Sequence, residues 1–124
     1  MRFRTVLPVL MTGIAVASPG FADSVQDEAI VKGQAHFSIF CASCHGENAD
    51  GHGVLATSLE ITPSDLTALR QTSGDFCIAE RVLKAVAGLH DVAPGQEQKM
   101  PTFSDSLEGI TIYQITQYLK SIQK

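Results

Sequence analysis

The stretch Cys41-Ala42-Ser43-Cys44-His45 decides how the rest of this chain is interpreted. It contains two of the three cysteines, three positions apart, and a histidine follows the second at once. A zinc site normally needs four ligands, and the only other cysteine is Cys77. A thioredoxin-like pair lies within a βαβ pattern, which this sequence lacks. A disulfide between the two cysteines would leave His45 unexplained, so all three alternatives fit the stretch poorly.

The pattern Cys-x-x-Cys-His is the attachment signal of a c-type haem. Two thiols at this spacing can each bond to one of two vinyl groups on the same porphyrin edge. His45 then lies under the iron and supplies an imidazole nitrogen as the proximal ligand. The sequence therefore predicts one covalently attached haem c, held by Cys41, Cys44 and His45.

The first 22 residues have the pattern of a secretory signal peptide. Arg2 and Arg4 precede an apolar run over residues 6–17, and small residues then stand where a signal peptidase cleaves. The run is shorter than the about 20 apolar residues of a membrane-spanning helix. We therefore expect a cleaved leader over 1–22, a single domain over 23–124, export to the periplasm and no membrane anchor after cleavage.

Charge and size limit the classes of function. The 124 residues carry a net charge of −4, and loss of the leader would remove two basic but no acidic residues, which lowers the charge to −6. Nucleic-acid binding needs a basic face, so we expect no nucleic-acid partner. A domain of this length without tryptophan has a modest core. An apolar cofactor would enlarge that core.

Hydrophobic periodicity predicts an all-α domain of about three main helices joined by long loops. The predicted helices cover residues 24–40, 75–87 and 109–122, with a short helix near 65–69, while 46–63 and 89–106 have the composition of loops. Ser24 is the expected cap of the first helix, Ser73 or Asp75 that of the second, and Gly88 its stop signal. The apolar faces comprise Ile30, Gly33, Phe37 and Cys41; then Phe76, Ala79, Val82, Leu83 and Val86; and last Ile112, Ile115, Leu119 and Ile122.

Several motifs together resemble the class I cytochromes c of the bacterial periplasmic type. Gly33 and Phe37 before Cys41 are similar to the family's first helix, and Tyr118-Leu119 resembles the aromatic position of its last helix, which crosses the first at that glycine. The Asp50-Gly51-His52-Gly53 and Pro63-Ser64-Asp65-Leu66-Thr67 segments are also similar to this group. The resemblance implies a small cytochrome c fold wrapped around one haem. It also implies single-electron transfer between redox proteins, whose identities the sequence leaves open, rather than enzymatic catalysis.

Met100 is the candidate sixth ligand of the iron. Met100-Pro101-x-Phe103 resembles the family's ligand loop, and Met100 is the only methionine outside the expected leader. It lies 55 residues after His45, which is enough chain to reach the far face of a haem. The rival ligands are His36, His52 and, foremost, His90 in the loop that leads to Met100.

Three further residues receive roles from position or resemblance. The resemblance suggests that the Pro63 carbonyl accepts the Nδ1–H of His45 and so orients the imidazole. Arg70 is a candidate partner of a haem propionate. Lys99, next to Met100, is expected at the rim of the haem opening.

Two other functions stay open at this stage. The chain could be a dedicated cytochrome subunit of a periplasmic dehydrogenase or oxidase, or a haem enzyme or gas sensor in which Met100 is displaced. Cys77 is the odd thiol once haem is attached. Its helical position lies nearer Glu80, Arg81 and Lys84 than the apolar stripe. We therefore expect partial exposure, and a mostly monomeric protein with a minor disulfide-linked dimer.

Overall fold

The computed structural model describes residues 20–74, 77–90 and 100–124. Within these ranges the chain forms helices and loops and no strand, which confirms the all-α prediction. In chain order the elements are α1 (Gly20–Phe40), α2 (Ala42–His45), α3 (Val54–Ser58), a 3₁₀ helix (Leu66–Ala68), α4 (Leu69–Ser73), α5 (Ile78–Val86) and α6 (Gly109–Ser121).

The crossing of α1 and α6 is the main helix–helix contact of the described structure. Gly33 lies at the crossing point, where a Cβ atom would stand 1.9 Å from the Gln114 carbonyl oxygen. One turn further along α1, the ring of Phe37 packs against that of Tyr118 with 5.4 Å between ring centroids. Glycine is therefore required at position 33 because the two backbones approach too closely for any side chain.

The core lies between this helix pair and the shorter helices. The side chains of Phe37, Ile78 and Ile115 are the largest that are almost wholly buried, and they come from α1, α5 and α6. Around them cluster Leu69, Val82, Leu107, Tyr118 and Leu119. Each long helix thus contributes a buried row to one shared core.

The first helix begins earlier than its expected start at Ser24. It begins at Gly20, and Ser24 lies within it rather than at its N-cap. Residues 20–23 are helical as well, because none of them forbids helical torsions. Residues 1–19, most of the expected leader, lie outside the described part, and the cleavage after residue 22 stays a prediction.

The predicted buried face of α5 was partly wrong. Ile78, Val82 and Val86 are buried at four-residue spacing, whereas Ala79 and Leu83 are exposed. Successive helical residues are about 100° apart around the helix axis. Ala79 and Leu83 therefore face a direction about 100° from that of Ile78 and Val82. The side chains of Asp75 and Phe76 lie outside the described residues, and Cys77, not Ser73, is the N-cap.

The end of α5 follows the predicted stop signal. Gly88 adopts a left-handed φ of 71°. Its N–H donates to the Ala85 carbonyl at 3.1 Å, and the Leu89 N–H donates to the Lys84 carbonyl at 2.8 Å. This pair of bonds is a Schellman motif, which ends the helix and turns the chain toward His90.

Three smaller differences concern element bounds. The segment 46–63, predicted as loop, contains α3, whose five residues are too few to show a periodicity. The short helix predicted near 65–69 is a 3₁₀ helix that continues into α4 and ends at Ser73. The Asp65 carboxylate caps its start by accepting the Thr67 N–H at 2.9 Å. The last helix ends at Ser121, and Ile112 and Ile122 are half-buried rather than buried.

In the part of the chain that the structure covers, no helix combines the length and the apolar character that crossing a membrane requires.

Gly33→Ala tests the helix crossing. The new methyl group would overlap the Gln114 backbone, so α1 and α6 would have to separate. We expect a loss of about 3 kcal/mol in the free energy of unfolding, at the upper end of the usual cost of overpacking. Chemical denaturation measures it. Gly109→Ala is the matched control, because a Cβ there meets nothing within 4 Å; equal stability of the two variants would contradict this account.

Candidate functional site

The Cys-x-x-Cys-His stretch forms a turn of its own after α1. Cys41 leaves helical torsions at φ −122° and ψ −35°, and α2 follows. The hydrogen bonds nevertheless continue, since the Cys41 N–H donates to Phe37 O at 2.8 Å and the His45 N–H to Cys41 O at 2.9 Å. This bend at Cys41 lets both cysteines and the histidine line one cavity.

That cavity has a volume of about 1220 Å³. It exceeds the roughly 300–1,000 Å³ of ordinary small-molecule pockets. Its wall includes apolar side chains that also belong to the core, namely Phe37, Leu69, Val82, Ile115 and Leu119. Five residues that the sequence predicted to attach, ligate or orient the haem line it: Cys41, Cys44, His45, Pro63 and Met100.

The glycine-rich loop after His45 packs back onto α2. The Gly51 N–H donates to His45 O at 2.8 Å, and the Gly53 N–H to Cys44 O at 3.1 Å. A Cβ at Gly53 would stand 2.4 Å from the carbonyl carbon and oxygen of Cys44, so this contact requires glycine. The loop thereby satisfies the last carbonyls of α2, which have no partner within so short a helix.

The acceptor for His45 is Ser64, and the expectation for Pro63 was wrong by one residue. His45 Nδ1 lies 3.1 Å from the Ser64 carbonyl oxygen. The Pro63 carbonyl faces Gly51 instead, where a Cβ would stand 2.6 Å from its oxygen. Neighbouring carbonyls of an extended segment point in different directions, so only one of the two can face the imidazole.

The hydrogen bond fixes the tautomer of neutral His45. A carbonyl oxygen only accepts, so Nδ1 carries the proton and Nε2 is left as the nitrogen that can bind a metal. Burial lowers the pKa of His45, and the bond to Ser64 raises it by less. The imidazole is therefore neutral at neutral pH, which is the form that ligates iron.

The two cysteines of the motif are not joined to each other in a disulfide, so both thiols are available for attachment of a haem. Before attachment, burial raises the pKa of the Cys41 thiol to about 11, and the nearby Cys44 contributes a smaller part of that rise. Cys41 is therefore protonated at neutral pH until the haem is attached. Within the described ranges, no group of three or more His, Cys, Asp or Glu side chains is arranged to hold a metal ion.

Met100 and His90 line the same cavity as His45. The loop that carries Met100 is tied to α5, because the Phe103 N–H donates to Val86 O at 2.7 Å. His90 Nδ1 is buried and finds no hydrogen-bond partner among the described residues. The structure thus leaves both side chains as candidates for the sixth ligand position.

The two other histidines are elsewhere. His36 stacks on Phe40 with 6.4 Å between ring centroids, and it is absent from the cavity wall. The His52 side chain is 86% exposed and lies 3.3 Å from the Asp50 carboxylate. Neither is placed to reach a ligand in the cavity.

Among the described residues, two basic ones line the cavity wall, Arg81 and Lys84, and neither was expected there. Arg70 does not line the cavity, so its role toward a propionate stays a prediction, and Lys99 lies outside the described residues. Arg81 lines the wall, and its guanidinium donates to Thr72 Oγ1 at 2.6 Å and to Ser73 Oγ at 2.5 Å. In the sequence, only its position next to Val82, on the predicted apolar face, could have indicated that Arg81 lies near the cavity.

The chain matches the family model described as cytochrome C oxidase, cbb3-type, subunit III, over residues 28–119. The match covers 92 of the 124 residues and includes the Cys-x-x-Cys-His stretch, Met100 and most of α6. None of the curated proteins compared with the chain matches it.

Cys77 is exposed, as its helical position predicted. We expect a minor disulfide-linked dimer under oxidising conditions, since two exposed thiols on separate molecules can meet. Non-reducing electrophoresis should show a weak band at twice the monomer mass for the wild type and none for Cys77→Ser. A wild-type chain that stays monomeric after oxidation would show that this thiol does not pair.

Proposed function

We propose that this chain, which belongs to the cytochrome c oxidase, cbb3-type, subunit III family, acts as a periplasmic single-electron carrier. As a c-type cytochrome, it transfers electrons through a covalently attached haem c. His45 and Met100 are the proposed axial ligands of the haem iron. Redox proteins are its proposed donor and acceptor.

The described residues fit a covalently attached haem. Cys41 and Cys44 supply two thiols to a cavity whose wall is mostly apolar, and His45 supplies a neutral imidazole with Nε2 available. When bound, the haem supplies the one-electron couple of its iron. The protein attaches it, orients the proximal imidazole through Ser64, and surrounds it with side chains from α1, α4, α5 and α6.

The observation that carries the carrier proposal is the position of Met100. It lies on the wall of the same cavity as His45, although 55 residues separate them in the sequence. A thioether opposite an imidazole would close the coordination sphere of the iron. A closed sphere favours electron transfer over substrate chemistry, because little rearranges when the charge changes and no substrate reaches the metal.

The proposed location rests on the amino terminus. A basic start, a short apolar run and small residues before position 23 are typical of an exported protein. Haem is attached to such cysteine pairs outside the cytoplasm, which agrees with export of this protein. The acidic charge of the exported domain favours a partner whose docking surface is basic or mainly apolar.

A second candidate is a dedicated cytochrome subunit of a respiratory oxidase. The description of the matching family, a subunit of an oxidase, favours it. Purification of the native protein separates the two functions. A stoichiometric companion that survives gel filtration would favour the subunit, whereas a lone cytochrome would favour the carrier.

Replacement of Met100 tests the sixth ligand. Met100→Ala should abolish the far-red Met–iron charge-transfer band of the ferric protein and let imidazole or carbon monoxide bind. Met100→His should keep six-coordinate iron at a lower reduction potential, because methionine favours the ferrous state more than a second histidine does. Visible spectroscopy and a redox titration measure both effects.

His90→Ala is the matched control, since His90 lines the same cavity. It should keep the far-red band. If Met100→Ala leaves the ferric spectrum unchanged while His90→Ala opens the iron to exogenous ligands, His90 is the sixth ligand and the proposal is wrong.

A further inference from the structure

The segment 64–70 supplies the acceptor for His45 and is held by two other parts of the chain. The first is the loop after His45, because the Leu66 N–H donates to the carbonyl of Ala49 at 2.8 Å. Ala49 belongs to the loop that packs back onto α2, and it is buried with a left-handed φ of 58°. The position of the Ser64 carbonyl therefore depends on contacts two residues further along the chain.

The second part of the chain that holds this segment is Gln123, which follows α6. Gln123 Nε2 donates to Leu66 O at 2.7 Å and to Leu119 O at 2.6 Å. Its Oε1 accepts the backbone N–H of Arg70 at 2.8 Å. Both donor hydrogens of the amide and its acceptor oxygen are thus in use between α6 and the segment 64–70.

The next residue adds to this contact. The Lys124 N–H donates to Thr67 O at 2.9 Å, and Lys124 Nζ lies 3.6 Å from Asp65 Oδ2. Both peptide groups of Leu66 are also hydrogen-bonded, because its N–H donates to Ala49 O and its carbonyl accepts from Gln123 Nε2. The Gln123 side-chain amide thus links the 3₁₀ helix, α4 and α6 through one backbone group of each.

We propose that Gln123 is a positioning residue for the proximal ligand. It holds the segment 64–70 so that the Ser64 carbonyl stays within reach of His45 Nδ1–H, and in this way it sets the reduction potential of the haem. This inference rests on the proposed role of His45 as proximal ligand, and it holds whichever side chain occupies the sixth position.

The direction of the effect follows from ligand basicity. Donation of Nδ1–H to a carbonyl fixes the ring orientation and makes the other nitrogen a stronger donor to a metal. A stronger donor stabilises ferric iron relative to ferrous iron. Release of the Ser64 carbonyl would weaken this bond, so loss of the Gln123 contacts raises the reduction potential.

Gln123→Met tests the inference in the protein with haem attached. Methionine keeps the length of the side chain but makes none of the three hydrogen bonds. We expect the ferrous-to-ferric ratio at a fixed applied potential to rise by roughly twofold or more, as the weakening of one hydrogen bond allows. The His45 Nδ1–H of the ferrous protein should also exchange faster with solvent by NMR.

Gln117→Met is the matched control. Gln117 lies on α6, six residues before Gln123, and its Oε1 accepts a hydrogen bond from Gln26 Nε2 at 2.6 Å, away from the segment 64–70. It should leave both the reduction potential and the exchange rate at the wild-type values. Gln123→Asn, one methylene shorter, should shift both in the same direction as Gln123→Met but less, and it serves if Gln123→Met does not accumulate.

Two outcomes would overturn the inference. Either variant at position 123 could lower the thermal midpoint yet leave the potential and the Nδ1–H exchange unchanged, which would assign Gln123 a purely structural role. Alternatively, Gln117→Met could shift the potential equally. Failure of the carrier proposal is seen separately, because the far-red band would then be missing from the ferric wild type.

Discussion

The packing of apolar side chains against the occupant of one large cavity is the interaction on which the rest of this structure depends. The side chains of Phe37, Leu69, Val82, Ile115 and Leu119 belong to the core and line the cavity at the same time. Without an apolar occupant these side chains would face a cavity of about 1220 Å³. Removal of apolar surface from water is the dominant favourable contribution to folding, so the occupant supplies part of the burial that stabilises the domain. The haem is therefore part of the core as well as the redox centre.

Around the proximal histidine the structure relies mainly on hydrogen bonds between neutral groups. Ser64 accepts from His45, Ala49 accepts from the Leu66 N–H, and Gln123 donates to the Leu66 carbonyl. These contacts join the loop after the haem motif, the segment before α4 and the end of α6. A neutral imidazole held by neutral partners suits a centre whose own charge changes with every electron.

The sequence predicted the parts of the site whose chemistry is local. The Cys-x-x-Cys-His spacing needs only a single turn of chain, and the crossing at Gly33 follows from a residue without a side chain. Met100 was assigned from a resemblance, and the structure brings it to the cavity of His45. The all-α class followed from periodicity in the long helices.

The errors have a common physical origin in the path of the backbone. Whether Pro63 or Ser64 faces His45 depends on torsion angles rather than on residue type. The rotation of α5 about its axis decided that Ile78, rather than Ala79 or Leu83, shares the buried face with Val82 and Val86. Successive helical residues are about 100° apart, so neighbouring positions differ in burial. Gln123 gave no signal, because a polar residue just beyond a helix ordinarily faces solvent.

The most direct test of the central claim compares the folding of the chain with and without haem. Far-UV circular dichroism during heating would be recorded for the haem-attached wild type and for a Cys41→Ala, Cys44→Ala double variant purified without haem. The account predicts a cooperative helical transition for the wild type and low helicity without a transition for the variant. A haem-free chain with native-like helicity and a cooperative transition would contradict it.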